Sequence, residues 1–172
     1  MAGIPFEPLP SGVEETPMQG DPAAVVMHWA RRKAECVLPL RPDRPVLGAD
    51  TMVELGGRLL GKPMDRLEAI AMLRELSGAW HSVHGGVCLL WPERSIDIGF
   101  AESTRVRFRE LSDREIACYA GTGEPMDKAG AYGIQGYGAA LVDRIEGCFF
   151  NVMGLPLARL VRELSMTQRE GG

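Results

Sequence analysis

A chain of 172 residues, 45% hydrophobic and 24% charged, has room for one sizeable core and hardly for two. Its formal charge of −4 gives no general attraction to nucleic acid or membrane surface, although a local cationic pocket for a small anion stays open. The opening MAGIPFEPLPSG has neither the basic nor the apolar region of a signal peptide, and no run approaches the ~18 apolar residues of a membrane span.

Residues 1–20, rich in Pro and Gly, read as irregular, with Glu14 and Glu15 among them. Asp21-Pro22 opens a helix, an N-cap acid followed by proline at the first helical position. Ala23, Val26, Met27, Ala30, Ala34 and Val37 share one face; Arg31, Arg32 and Glu35 point away, and Lys33 stands on the border. Three prolines in Leu38 to Pro45 predict a loop. Val46 to Leu55 reads as a strand that turns at Gly56-Gly57. Asp65 to Leu76 reads as a helix with an Asp65/Glu68 capping box, and Gly78 follows its end.

His81 to Trp91 and Ile96 to Phe108 are strand-like, joined by the turn Pro92 to Ser95. Ser112 and Glu115 form a second capping box, opening a helix that stops near Gly121. The glycine-rich stretch Gly130 to Gly138 precedes a strand at Ala139 to Ile145; a last helix begins at Gly154-Leu155-Pro156, and a loose tail is expected from Ser165. Hairpins mixed with helices predict an α/β domain over 1–172 with a mixed rather than purely parallel sheet.

The four cysteines, Cys36, Cys88, Cys118 and Cys148, are at least 30 residues apart, with no C-x-x-C pair and no Cys/His cluster. They predict reduced thiols without zinc in a cytoplasmic protein. His28, His81 and His84 share no metal-ligand spacing and read as structural or surface residues. GGRLLGKP at Gly56 to Pro63 nearly spells a phosphate-binding P-loop, but Pro63 replaces the hydroxyl residue that would hold magnesium.

Asp50 ends the apolar run VLGA, where a carboxylate is either a turn former or a catalytic acid/base. Lys33 is either a lysine snorkelling from an apolar face or a phosphate ligand. Lys62, between Gly and Pro, and Lys128, before Ala129-Gly130, are either solvated loop charges or phosphate ligands. Taken together the four suit triphosphate cleavage, which needs cations on phosphate oxygens, a carboxylate for water or metal, and close backbone. In GAYGIQGYG, Tyr132 and Gln135 would stack against and hydrogen-bond a base, if the segment is more than a flexible loop.

GADTMVELGGRLLGKP, the LSG ahead of His81-Ser82-Val83, STRVRFRELSDREI, EPMDKAGAYGIQGYG and NVMGLPL, in that order and spacing, resemble the Maf family from about Gly3 to Leu164. The resemblance implies a twisted mixed sheet flanked by helices, related in architecture to the inosine-triphosphate pyrophosphatases and often dimeric. It implies hydrolysis of a nucleoside triphosphate between the α and β phosphates, with a divalent cation (Mg²⁺ or Mn²⁺). On the matching positions, Asp50 is the proton acceptor, Lys33 and Lys62 serve the phosphates, and Glu15 with Asp50 holds metal. Thr51 and Gln135, with Lys128 as a further substrate ligand, resemble the branch acting on dTTP and UTP, since a glutamine amide both donates to and accepts from a pyrimidine edge.

Family members carry a strand and an S-x-S-P-R-R loop ahead of the segment matching Gly3 to Glu7, and that motif is not in this sequence. Its loss would open a sheet edge and remove a phosphate loop and an arginine fork. The expectation is a start codon further upstream; the other reading is a short, weak or inactive protein acting as a nucleotide-binding or septum regulator. The same chemistry on 7-methyl-GTP or another modified nucleotide is a third reading. Gly12 stands where an acid is usual in the family, and Gly85 where a threonine is usual.

Overall fold

The computed structural model describes residues 3–16 and 18–167, the side chain of Thr167 excepted. Helix α1 (Pro22–Val37) starts at Asp21, whose carboxylate accepts from the amide of Ala24. Strand β1 (Val46–Leu55) turns through Gly56-Gly57 into β2 (Arg58–Leu60). Both turn glycines have positive φ, as a two-residue hairpin of matching twist requires. Helix α2 (Arg66–Leu76) leads to the long hairpin β3 (Trp80–Trp91) and β4 (Ile96–Phe108). Helix α3 (Asp113–Ala120), β5 (Val142–Glu146), the short α4 (Phe149–Val152) and α5 (Leu157–Thr167) follow.

The sheet order is β2-β1-β3-β4-β5, and the α/β architecture is the one read from the sequence. Every pairing among the described residues is antiparallel, so the sheet differs from the mixed one expected. Tight hairpins join β1 to β2 and β3 to β4, and a parallel pair would need a long crossover. β1 meets β2 only from Val53 to Leu55, so its edge from Val46 to Met52 has no strand partner among the described residues.

Alternation along the strands sorts the two faces. Val46, Gly48, Gly86, Cys88 and Leu90 face α1, which buries Ala30, Ala34 and Val37 against them. The helix lies directly on backbone there. A Cβ on Gly48 would stand 2.1 Å from the Ala30 carbonyl oxygen, and one on Gly86 2.3 Å from that of Val26. The other face carries Val53, Val83 and Val106 against α2 and α3, with Leu73, Leu76, Phe108, Ile116 and Tyr132 in one core. Val87 and Phe100 pack on Leu160 of α5 in a smaller cluster.

Several local expectations shift. The buried face of α1 also includes Val25 and Trp29, whereas Ala23 and Met27 are only half-buried. Leu38–Leu40, within the stretch expected to be a loop, forms a 3₁₀ turn, since proline at the first positions of a turn needs no amide bond. The Asp65 box closes on one side only: Asp65 accepts from Glu68, but the Glu68 carboxylate accepts from Met64 rather than Asp65. The Ser112/Glu115 box is complete.

The expected strand from Ala139 begins instead at Val142. Gly136–Leu141 is a 3₁₀ turn held by Leu141, which is buried in the core. The last helix starts at Leu157, because Gly154 has a φ of 113°. Ser165–Thr167 continue that helix rather than forming a loose tail; residues 168–172 of that expectation lie outside the described ones.

Candidate active site

A cleft of about 310 Å³ runs along Ala49 to Val53, where the edge of β1 is open before Val53. All eight residues singled out in the sequence for this chemistry line it: Glu15, Lys33, Asp50, Thr51, Lys62, Lys128, Tyr132 and Gln135. They come from six separate stretches of chain.

At the floor, Asp50 is 5% exposed, and its Oδ1 accepts from Lys33 Nζ at 2.6 Å. Alternation from Gly48 turns Asp50 toward α1, and the close seat of that helix on Gly48 and Gly86 brings Lys33 above it. The same ammonium lies 2.6 Å from Glu15 Oε1. Lys33 is therefore on the packed side of α1 rather than merely snorkelling at its border.

Burial pushes the Asp50 carboxyl above its usual range, and the hydrogen bond and charge of Lys33 work against that rise. Burial works to lower the Lys33 pKa, but the hydrogen bonds to Asp50 and Glu15 outweigh it, so the ammonium titrates above its ordinary value. The floor of the cleft is thus a carboxylate beside a cation that keeps its proton.

Asp50 Oδ2 is buried and accepts no hydrogen bond. With Glu15 on the same ammonium, it offers hard oxygen donors of the kind magnesium or manganese takes, leaving most of the shell to water and phosphate oxygens. Among the described residues no group of three or more His, Cys, Asp or Glu gathers as a metal cage. Two carboxylates fit an ion that arrives with a phosphate better than one held by protein alone.

Lys62 and Lys128 flank the cleft from two loops. Lys128 Nζ donates to Asp127 at 2.7 Å, and Asp127 also lines the cleft. The wall after Lys128 turns at Ala131, a non-glycine residue at φ 58°, held by its amide on the Lys128 carbonyl at 3.1 Å. That turn sends Tyr132 inward. Only 5% exposed, Tyr132 packs edge-on against Phe108 and hydrogen-bonds His81 Nε2 at 2.8 Å. Its ring belongs to the core, which corrects the expectation that it stacks on a base; Gln135 in the same loop is exposed at the cleft.

Sequence reasoning passed over two further groups. Asn151, fully buried in α4, donates to the Val83 carbonyl at 3.0 Å and to Thr104 Oγ1 at 3.2 Å, fixing the Val152–Gly154 wall. Its Oδ1 has no partner, and a Cβ on Gly85 would stand 2.1 Å from it. Glu124 accepts from the amides of Tyr137 and Gly138, both at 3.0 Å. Nothing local in the sequence marked either one, because the amides that close on Glu124 lie 13 or more residues away and the Val83 and Thr104 groups bonded by Asn151 lie 47 or more.

The sequence model of the Maf-like protein family matches residues 1–167. A dTTP/UTP pyrophosphatase of Aquifex aeolicus is 46% identical, over 96% of this chain and 88% of that protein. Proteins of the same name from Bacillus cytotoxicus and Pelotomaculum thermopropionicum are each 49% identical. They align over 95% and 92% of this chain and over 85% and 83% of their own lengths.

Proposed function

Because this chain belongs to the Maf family, we propose that it is a nucleoside triphosphate pyrophosphatase that hydrolyses dTTP and UTP to the monophosphate and pyrophosphate. The observation that carries the reading is one cleft holding three lysines beside a buried carboxylate, with Gln135 at its glycine-rich wall.

Asp50 takes the proton of a water that attacks the α-phosphorus; the bond from that phosphorus to the bridging oxygen breaks, and pyrophosphate leaves. Oδ1 is engaged by Lys33, so Oδ2 is the oxygen that the protein leaves without a donor. Lys33, Lys62 and Lys128 meet the charge that develops on the phosphate oxygens. Glu15 and Asp50 are the residues that would hold magnesium or manganese, which when bound supplies charge neutralisation of the phosphates. Thr51 and Gln135 read the base, the glutamine amide offering both a donor and an acceptor to a pyrimidine.

A cytoplasmic, homodimeric protein completes the reading. The four cysteines are free, as they would be in a reducing compartment, and no helix among the described residues is long and apolar enough to cross a membrane. Light scattering tests the dimer.

The deciding experiment is pyrophosphate release from dTTP and UTP with magnesium or manganese, with ATP and 7-methyl-GTP as controls. Turnover of the pyrimidines is expected. Turnover of 7-methyl-GTP alone would overturn the base assignment, and nucleotide binding without any turnover would overturn the enzyme.

A further inference from the structure

The segment from Gly133 to Gly138, which carries Gln135, is tied at both ends to one carboxylate. At the far end, Glu124 Oε2 accepts from the Tyr137 amide and Oε1 from the Gly138 amide, each at 3.0 Å. At the near end, the Gly133 amide donates to the Tyr119 hydroxyl at 3.1 Å, and that hydroxyl donates to Glu124 Oε1 at 2.9 Å. Packing enforces the same closure. A Cβ on Gly138 would stand 2.1 Å from the Gly133 carbonyl oxygen, and one on Gly136 2.5 Å from Glu124 Oε2.

The chemistry of the tie is that of an ionised acceptor. Burial opposes the charge on Glu124, but the two amides and the phenol hold its carboxyl below the usual range. Burial keeps the Tyr119 phenol protonated, so it remains a donor. Three donors converge on two oxygens, and a glutamine in this place would set its own amide hydrogens against at least one of them.

We propose that Glu124 is the positioning residue of the base-reading loop: by gathering Gly133, Tyr137 and Gly138 it fixes where Gln135 stands, and so sets discrimination between bases without touching the nucleotide. The inference rests on the reading of the cleft as a pyrimidine triphosphate site. Glu124 is not among the residues lining the cleft, which separates its role from that of the phosphate-binding lysines.

The test is Glu124→Gln in the whole chain, beside Tyr119→Phe. For Glu124→Gln, KM for dTTP and UTP should rise about tenfold, and the preference over ATP should fall by a similar factor. kcat at saturation should stay within about threefold, because Asp50 and Lys33 are undisturbed. Tyr119→Phe releases only the Gly133 end and should shift KM the same way by less. A role confined to folding would lower the amount of active protein without moving KM or the base preference, and that outcome overturns the proposal.

Amide hydrogen exchange separates the two readings. Faster exchange confined to 133–138 in Glu124→Gln supports the tie whatever the substrate is, and unchanged exchange there overturns it. A wild-type chain that turns over no pyrimidine triphosphate refutes the function instead.

Discussion

Lys33 of the first helix and Asp50 of the first strand meet at 2.6 Å, and Glu15 closes on the same ammonium at the same distance. One cation is shared by a carboxylate that is almost fully buried and another that is one-third exposed. The buried member carries an oxygen with no donor. The three groups carry a net charge of −1, which Lys62 at the same cleft offsets.

Asp50→Asn keeps the shape of the side chain and removes its charge. Hydrolysis of dTTP should fall roughly 10³-fold, the scale of a lost general base. The circular dichroism spectrum should be unchanged, since Asn fits the same space. A variant retaining full pyrophosphate release would remove Asp50 from the mechanism.

Lys33→Ala leaves Asp50 buried with no counter-charge. Breaking a pair of this kind costs about 3 kcal/mol, and the melting temperature near pH 7 should drop accordingly. Part of that loss should vanish in acid, where Asp50 takes up a proton and no longer needs a partner. Melting curves of wild type and variant between pH 4.5 and 7.5 check the convergence.

His81 gives the fold its own acid sensitivity. Burial holds its imidazole down to about 4, against 6.5 when unfolded. Below pH 6.5 the unfolded chain binds the proton and the native state does not. The contribution is therefore complete above that pH and is lost as pH falls toward about 4. The loss amounts to about 2 kcal/mol at pH 5 and about 3 kcal/mol in full. Urea titrations at pH 7.5 and 5.0 measure it; His81→Phe should be less stable at pH 7.5, through the orphaned Tyr132 hydroxyl, but flatter with pH.

Gly86→Ala tests the seat of α1. The new methyl would meet the Val26 carbonyl oxygen at 2.3 Å, so the helix must lift. The variant should lose about 2 kcal/mol of stability. It should also lose activity at temperatures where it is fully folded, because Lys33 rides on that helix. Equal kcat in a folded variant would mean that the helix position does not set the Lys33–Asp50 contact.

The sequence made much of this site legible, because its members sit where local signals are strong. Asp21-Pro22 marks the helix that carries Lys33; the apolar run ending at Asp50 marks a strand; GKP and DKAG mark the lysine loops. What escaped was set by contacts between distant segments. Tyr132 reads as a base-stacking ring in a glycine-rich loop until the left-handed turn at Ala131 is seen to point it at His81. Glu124 carries no local signal, and its role emerges only where the loop folds back over it. Asn151 sits in a four-residue helix with no side-chain cap to announce it. The antiparallel pairing of β1 with β3 likewise depends on α2 returning the chain beside β1, which no turn motif encodes.

The backbone-on-backbone contact of α1 with Gly48 and Gly86 has a consequence for sequence drift. In most helix–sheet layers the spacing is a sum over interlocking side chains, so each accepted core substitution moves the helix a little. Here two carbonyl oxygens rest over two alpha carbons, and the separation is set by van der Waals contact between backbone atoms, which rotamers do not change. The reach from Lys33 to Asp50 thus depends on backbone contact more than on the rotamers of the apolar residues around α1. The constraint falls instead on two positions that have no side chain at all.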